Sequence, residues 1–185
     1  MKSSPLFTAL VLMAGTLISQ PLLAQENPQI GNVIIEGQKQ GTFKTQGKDN
    51  EALQFIGFNF DVQATRDAGS GLPTGKKKYM PITLTRYSDA ASVNIFEAVS
   101  TNEDLKLVTI QLIRRSPEGK TQVYETIKLQ NATVSSYVQY EGTGAPIRYG
   151  TNTTPVEEIQ FTFQKISWQM VDSKTTATDD WLAGQ

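Results

Sequence analysis

Val108-Thr109-Ile110-Gln111-Leu112 alternates apolar and polar residues at every step. Val108, Ile110 and Leu112 therefore share one face, with Thr109 and Gln111 on the other. This is the pattern of a strand buried on one side and wet on the other. A few residues on, Ser116-Pro117-Glu118-Gly119 fits a type I turn, with proline second and glycine fourth. The alternation then resumes through Val123, Ile127 and Leu129, so the stretch reads as an antiparallel hairpin.

The same period of two extends in both directions. Val33 and Ile35 alternate with Ile34 in a run ending at Gly37. Ile56, Phe58, Phe60 and Val62 are expected on one face of a strand, with Asn59 and Asp61 opposite. Val134, Val138 and Tyr140 continue the hairpin's second arm, and Ile159, Phe161 and Phe163 share a face of the last long strand. After Phe163 the apolar set becomes Ile166, Trp168 and Met170, of opposite parity. Either a bulge near Gln164-Lys165 flips the later side chains, or both faces of this strand are covered. Between Ser88-Asp89 and Thr101-Asn102, Val93, Phe96 and Val99 recur at helical spacing beside Ile95 and Ala98, and Ser88 or Asp89 would cap the start. The fold class that follows is mainly β: a small two-sheet antiparallel β-barrel with one short flanking α-helix.

Two stretches escape the alternation. Gly142-Thr143-Gly144-Ala145-Pro146 opens a polar connection running to Pro155. Thr65 to Lys78 is a second, and a loop this long in a small domain is usually functional or disordered. Its second half, Gly71, Leu72, Pro73, Thr74, Gly75, Lys76, Lys77 and Lys78, reads as a rigid, basic surface loop delivering the chain into a strand, Ile82-Thr83-Leu84-Thr85-Arg86.

Composition removes whole classes of chemistry. The 185 residues contain no cysteine and no histidine. Thiol nucleophiles, thiolate metal sites, disulfides and imidazole bases are therefore excluded. A formal net charge of −1 argues against nucleic acid as the main partner. The glycines at 69, 71 and 75 miss the phosphate-loop spacing: the required first glycine falls on Ser70, and Lys77 stands in place of the metal-binding hydroxyl. The loop also leads into a strand rather than a helix N-terminus. Glu103-Asp104, Glu157-Glu158 and Asp179-Asp180 are adjacent acids, whereas glycoside hydrolysis needs two carboxylates facing each other across a cleft. The plainer reading is solvated charge at strand ends. A Ser–Lys pair stays open as a hydrolase alternative, although no serine sits in a nucleophile elbow. Tyr137, Tyr140, Tyr149, Trp168 and Trp181 could form an aromatic sugar platform, against the alternative of packing. No catalytic residue, cofactor or metal ligand is expected.

The N-terminus carries its own signal. Met1-Lys2 is followed by an apolar run from Leu6 to Ile18, then Pro21-Leu22-Leu23-Ala24 before Gln25. This describes a secretory signal peptide over residues 1–24, cleaved after Ala24. The run is too short for a comfortable membrane span, so no stable insertion follows cleavage. Residues 25–185 remain as a single domain.

Several segments resemble one family in order and spacing. Ser70-Gly71-Leu72-Pro73-Thr74-Gly75-Lys76 with Pro81-Ile82-Thr83-Leu84-Thr85, then Tyr124-Glu125-Thr126-Ile127-Lys128-Leu129-Gln130-Asn131-Ala132, then Glu157-Glu158-Ile159-Gln160-Phe161-Thr162-Phe163-Gln164-Lys165-Ile166-Ser167-Trp168, are similar to the haemolysin-coregulated protein (Hcp), the tube subunit of the bacterial type VI secretion system. The likeness runs from about Ile30 to Trp181. It implies a non-enzymatic protein forming hexameric rings that stack into a hollow tube. The loop around Thr65 to Tyr79 would reach the next ring. Effectors would travel in the lumen, with a spike protein at the tip and a sheath outside. Tyr79-Met80 stands where the family often has a basic or imidazole-bearing pair, and Ser88 to Ser92 lacks the proline often seen at the helix start. The larger departure is the signal peptide, which implies a periplasmic or secreted destination, in tension with the family's cytoplasmic assembly. An exported paralogue acting as a binding module or effector carrier is the alternative role. A start at Met13 would truncate the apolar run.

Overall fold

The computed structural model describes residues 29–45, 52–75, 77–141, 155–181 and 183. The expected signal peptide, Lys76, Tyr149 and nearly all of the connection that opens at Gly142 lie outside the described residues. The elements in order are β1 (Gly31–Gly37), β2 (Gly41–Thr42), β3 (Leu53–Phe55), β4 (Gly57–Asn59), β5 (Val62–Gln63), β6 (Lys78–Tyr79), β7 (Ile82–Tyr87), α1 (Ala91–Ser100), β8 (Asp104–Arg115), β9 (Thr121–Tyr140), β10 (Val156–Met170) and β11 (Thr175–Asp180).

The hairpin of β8 and β9 forms the centre. β8 and β9 pair antiparallel across the expected turn, where the Gly119 N–H donates to the Ser116 carbonyl at 2.9 Å. Gly119 has φ of +79°, the left-handed conformation that glycine adopts without a Cβ penalty. β1 adds to β8 and β10 adds to β9, giving the order β2-β1-β8-β9-β10-β7-β4. The two ends of this order meet on one short segment: β3 pairs with β1, and β4, separated from it by Ile56 alone, pairs with β7. Ile56 N–H donates to the Thr85 carbonyl at 2.8 Å and Ile30 N–H to the Phe55 carbonyl at 3.1 Å. This join covers the strand edges that an open sheet would expose.

The join also corrects one expectation. A continuous strand from Ile56 to Val62 with four apolar residues on its inner face does not form. Leu53 and Phe55 carry the burial instead, Phe58 and Phe60 are half-buried, and Val62 is exposed. The chain must switch partners at Ile56, and that break resets which side chains face inward.

The change of face after Phe163 has a collective cause. Core residues in β10 step from Phe163 to Ile166, in β9 from Leu129 to Ala132, and in β8 from Leu105 to Val108, each three apart instead of two. The register places these skips side by side, since Leu105 and Phe163 both pair with Ala132, and Leu107 and Lys165 both pair with Gln130. Lys106, Asn131 and Gln164 thus form one row in which each strand carries an extra residue, and the ladder resumes in step. Asn131 takes φ of +47°, and its Nδ2 donates to Gln164 Oε1 at 2.8 Å. Phe161, Phe163, Ile166 and Trp168 consequently all join the same core. The location near Gln164-Lys165 is the expected one, but the irregularity spans three strands. A separate register shift at Ser135 turns Tyr137 toward the core and leaves Val138 exposed, the reverse of the expected face.

The helix lies against β9. Asp89 rather than Ser88 supports its start, accepting from the Ala91 N–H at 2.8 Å. Ala91, Ile95 and Ala98 are buried, whereas Val93 and Phe96 stay exposed.

Candidate assembly surface

The stretch from Val62 to Tyr79 leaves the barrel as a hairpin arm. β5 pairs with β6 through Val62 with Tyr79 and Gln63 with Lys78. Farther out, the Thr74 N–H donates to the Thr65 carbonyl at 3.1 Å, Arg66 bridges to Pro73, and the Asp67 N–H donates to the Leu72 carbonyl at 2.9 Å. The tip is organised by Asp67, whose Oδ1 accepts from the backbone of Ser70 at 2.7 Å, the Ser70 hydroxyl at 2.8 Å and the backbone of Gly69 at 3.1 Å. The bonds from Ser70, then Gly69, hold the Asp67 carboxyl below its ordinary range. Gly71 completes the turn with φ of +69°. The described arm residues up to Lys78 are exposed, and Leu72 near the tip is 64% exposed.

The arm's base sits on the C-terminal half of the sheet. Tyr79 stacks on Phe60 at 6.2 Å, meets Phe163 edge-on at 5.5 Å and lies 5.7 Å from Trp181. Its hydroxyl donates to Asp179 Oδ2 at 2.7 Å, and Lys77 forms an ion pair with Asp179 Oδ1. Burial, with the Asp179 carboxylate adding to it, pushes the Tyr79 phenol up to about 12. Lys77, then Tyr79, holds the Asp179 carboxyl below its usual range. Arm and sheet enclose a cleft of about 830 Å³, with Thr65, Pro73 and Lys77 on one wall and Lys165, Asp180 and Trp181 on the other.

Of the loop residues singled out by sequence, Gly71, Leu72, Pro73, Thr74, Gly75, Lys77 and Lys78 thus lie on this arm. Lys77 is committed to Asp179 rather than standing as part of a free basic patch.

The adjacent acids divide. Glu158 lies opposite in parity to Glu157, as alternation requires. Solvated charge is the wrong description for Glu157 and Glu103, which are 0% and 2% exposed. Glu157 meets Arg86 and the Tyr137 hydroxyl. Glu103 accepts from the backbone of Lys39 and Gln40 at 2.6 and 2.9 Å, and so locks the β1–β2 turn. Burial, with the charge of Glu157 and its hydrogen bond, pushes the Tyr137 phenol up to about 12. Among the described residues the expected aromatics do not gather into a platform. Tyr137 faces Phe96 of the helix, Trp168 joins the core beside Phe60, and Trp181 covers Tyr79. Sequence reasoning missed Asp179, Trp181 and Phe60 as the arm's seat, and the only hint was an acidic, aromatic C-terminal end.

Comparisons with known proteins agree on one family. Residues 30–170 match the family model described as "Type VI secretion system effector, Hcp". The chain is 32% identical over 140 residues to the "Major exported protein" of Pseudomonas aeruginosa, covering 76% of this chain and 80% of that one. Its fold is similar to the structure described as "Crystal structure of Hcp protein", with a TM-score of 0.74 at 19% identity over 83% of this chain and 100% of that one. It is also similar to the "Secreted protein Hcp3 from Pseudomonas aeruginosa", with a TM-score of 0.65 at 26% identity over 83% of this chain and 99% of that one.

Proposed function

Because the chain belongs to the Hcp family of type VI secretion proteins, we propose that it is a non-enzymatic tube subunit that closes into hexameric rings, stacks them and carries effectors. The observation that carries this reading is the arm: the barrel presents a hairpin whose described residues up to Lys78 are exposed, from a base held by aromatic packing. Such an element contributes little to its own barrel and is suited to a neighbouring subunit. Gly71, Leu72, Pro73, Thr74, Gly75, Lys76, Lys77 and Lys78 form its contact region toward the next ring. Spike protein, sheath and secreted effectors are the partners this role requires, with no nucleic acid.

The absence of catalysis rests on what the carboxylates already do. Glu157 is tied to Arg86 and Tyr137, and Glu103 to a backbone turn, so neither is available as an acid or base. Screening with generic ester, peptide and glycoside substrates tests this, and turnover abolished by a single substitution would contradict it.

Export follows from two supports: the apolar Leu6 to Ile18 run and a relative described as exported. Residues 1–24 act as the signal peptide and 25–185 as the single mature domain. A second reading, an exported carrier that binds effectors outside the cytoplasm, is favoured by that same N-terminal run. Light scattering on the size-excluded chain from Gln25 to Gln185, followed by negative-stain imaging, separates the two. A six-fold ring is expected. A stable monomer would overturn the tube and leave the carrier.

A further inference from the structure

We propose that the C-terminal strand β11 is a clasp that sets the direction of the arm, with Asp179 and Trp181 as positioning residues that grip Lys77 and Tyr79. The arm's relation to the next ring rests on the function proposed above, but the clasp itself is a statement about this chain alone.

The need for a clasp comes from the arm's base. β5 and β6 share two residue pairs, a single bridge between Arg66 and Pro73 continues the ribbon, and an isolated two-stranded hairpin is marginal in water. The ribbon's own pairing does not set its angle to the barrel. Lys77 and Tyr79 lie on either side of Lys78, at the start of β6, and one carboxylate takes both side chains. Asp179 Oδ1 pairs with Lys77, and Oδ2 accepts from the Tyr79 hydroxyl at 2.7 Å. Using both oxygens in this way fixes orientation as well as distance. The Lys77 ammonium also lies 5.9 Å from the centre of the Tyr79 ring. Trp181 covers Tyr79 at 5.7 Å, while Phe60 and Phe163 hold its other contacts.

The clasp is itself anchored. β11 pairs with β10 along its length, from Lys165 with Asp180 to Met170 with Thr175. The Trp181 N–H donates to the Gln164 carbonyl at 3.1 Å, at the row where three strands carry their extra residue. The arm's angle is thus referred to β11, and through it to β10, by a contact between residues 102 positions apart.

Hydrogen exchange on the mature chain, kept dilute, tests the clasp. Asp179→Asn and Trp181→Ala should each raise exchange of the 62–79 amides about three- to tenfold. The β8 and β9 amides and the thermal midpoint should not move. The swapped pair Lys77→Asp with Asp179→Lys should recover part of the lost protection, which a merely structural role for Asp179 would not allow. Unchanged exchange at 62–79 in both single variants overturns the proposal, and so does an equal rise across the barrel strands. Tube formation by the same variants is read separately by electron microscopy. Arms that loosen while tubes form normally would uphold the clasp and count against the arm as the ring-to-ring contact.

Discussion

Arg86 Nη1 donates to Glu157 Oε1 across 2.6 Å, and neither side chain has appreciable contact with solvent. The second guanidinium nitrogen meets Asp89 at 2.6 Å, and the Tyr137 hydroxyl donates to the other Glu157 oxygen at 3.0 Å. One cation therefore joins β7, β10, β9 and the start of α1. Glu157→Gln removes the fully buried one of the two carboxylates on Arg86 and should cost about 3 kcal/mol, the low end for breaking a buried pair because Asp89 remains. The urea midpoint should fall accordingly. Replacing both partners, with Arg86→Met and Glu157→Leu, should recover most of the loss, because no buried charge is then stranded. A double variant less stable than Glu157→Gln alone would show that the pair contributes more than mutual neutralisation.

How far this fold was legible depends on the separation of the residues involved. The β8–β9 hairpin was readable because its signal is local: alternation, then Ser116-Pro117-Glu118-Gly119, then alternation. The inner face of Leu53 and Phe55 was not, because the partner switch at Ile56 is decided by β1 and β7, not by neighbours in sequence. The row of Lys106, Asn131 and Gln164 left a trace in every strand, a three-residue step between core positions, but only the step after Phe163 was conspicuous. Glu157 was visible as an acid on a strand, while its cation lies 71 positions away. The arm was recognised as a loop of consequence. Its seat was not, since nothing local to Lys77 or Tyr79 points to Asp179.

Asn131 tests the aligned row. Its φ of +47° suits asparagine and glycine and strains other residues. Asn131→Ala should cost about 1–2 kcal/mol by forcing a Cβ residue without a compensating side-chain bond into that conformation. Asn131→Gly keeps the backbone and loses only the bond to Gln164, so it should be the milder change. Chemical denaturation of both variants checks the order, and an alanine variant as stable as the glycine one would remove the strain argument.

Gly31 is constrained by space rather than by φ. A Cβ there would lie 2.2 Å from Phe55 Cζ and 2.5 Å from the Gln111 carbonyl oxygen. The ring could turn aside, but the carbonyl belongs to the adjoining strand. Gly31→Ala should therefore cost about 1–3 kcal/mol. Adding Phe55→Leu frees only the ring side of the clash, so thermal unfolding of the double variant should show no full recovery.

Glu125 gives the fold a dependence on pH. The side chain is buried on β9, beside Leu112 and Met170 on the flanking strands. Burial raises its carboxyl above the ordinary 4.5, partly opposed by a hydrogen bond from the Trp168 side chain. A carboxyl with a raised folded value binds its proton more tightly in the native state. Its share of stability is therefore fully present below 4.5 and declines as pH rises through the raised value. At neutral pH the native protein holds a desolvated charge that Gln would not carry, and Gln can still accept from Trp168. Glu125→Gln should accordingly unfold at higher urea than the parent at neutral pH. The gap should close on acidification to about pH 4, where the parent is itself protonated. A gap of constant size across that range would show that the gain came from packing and not from the charge.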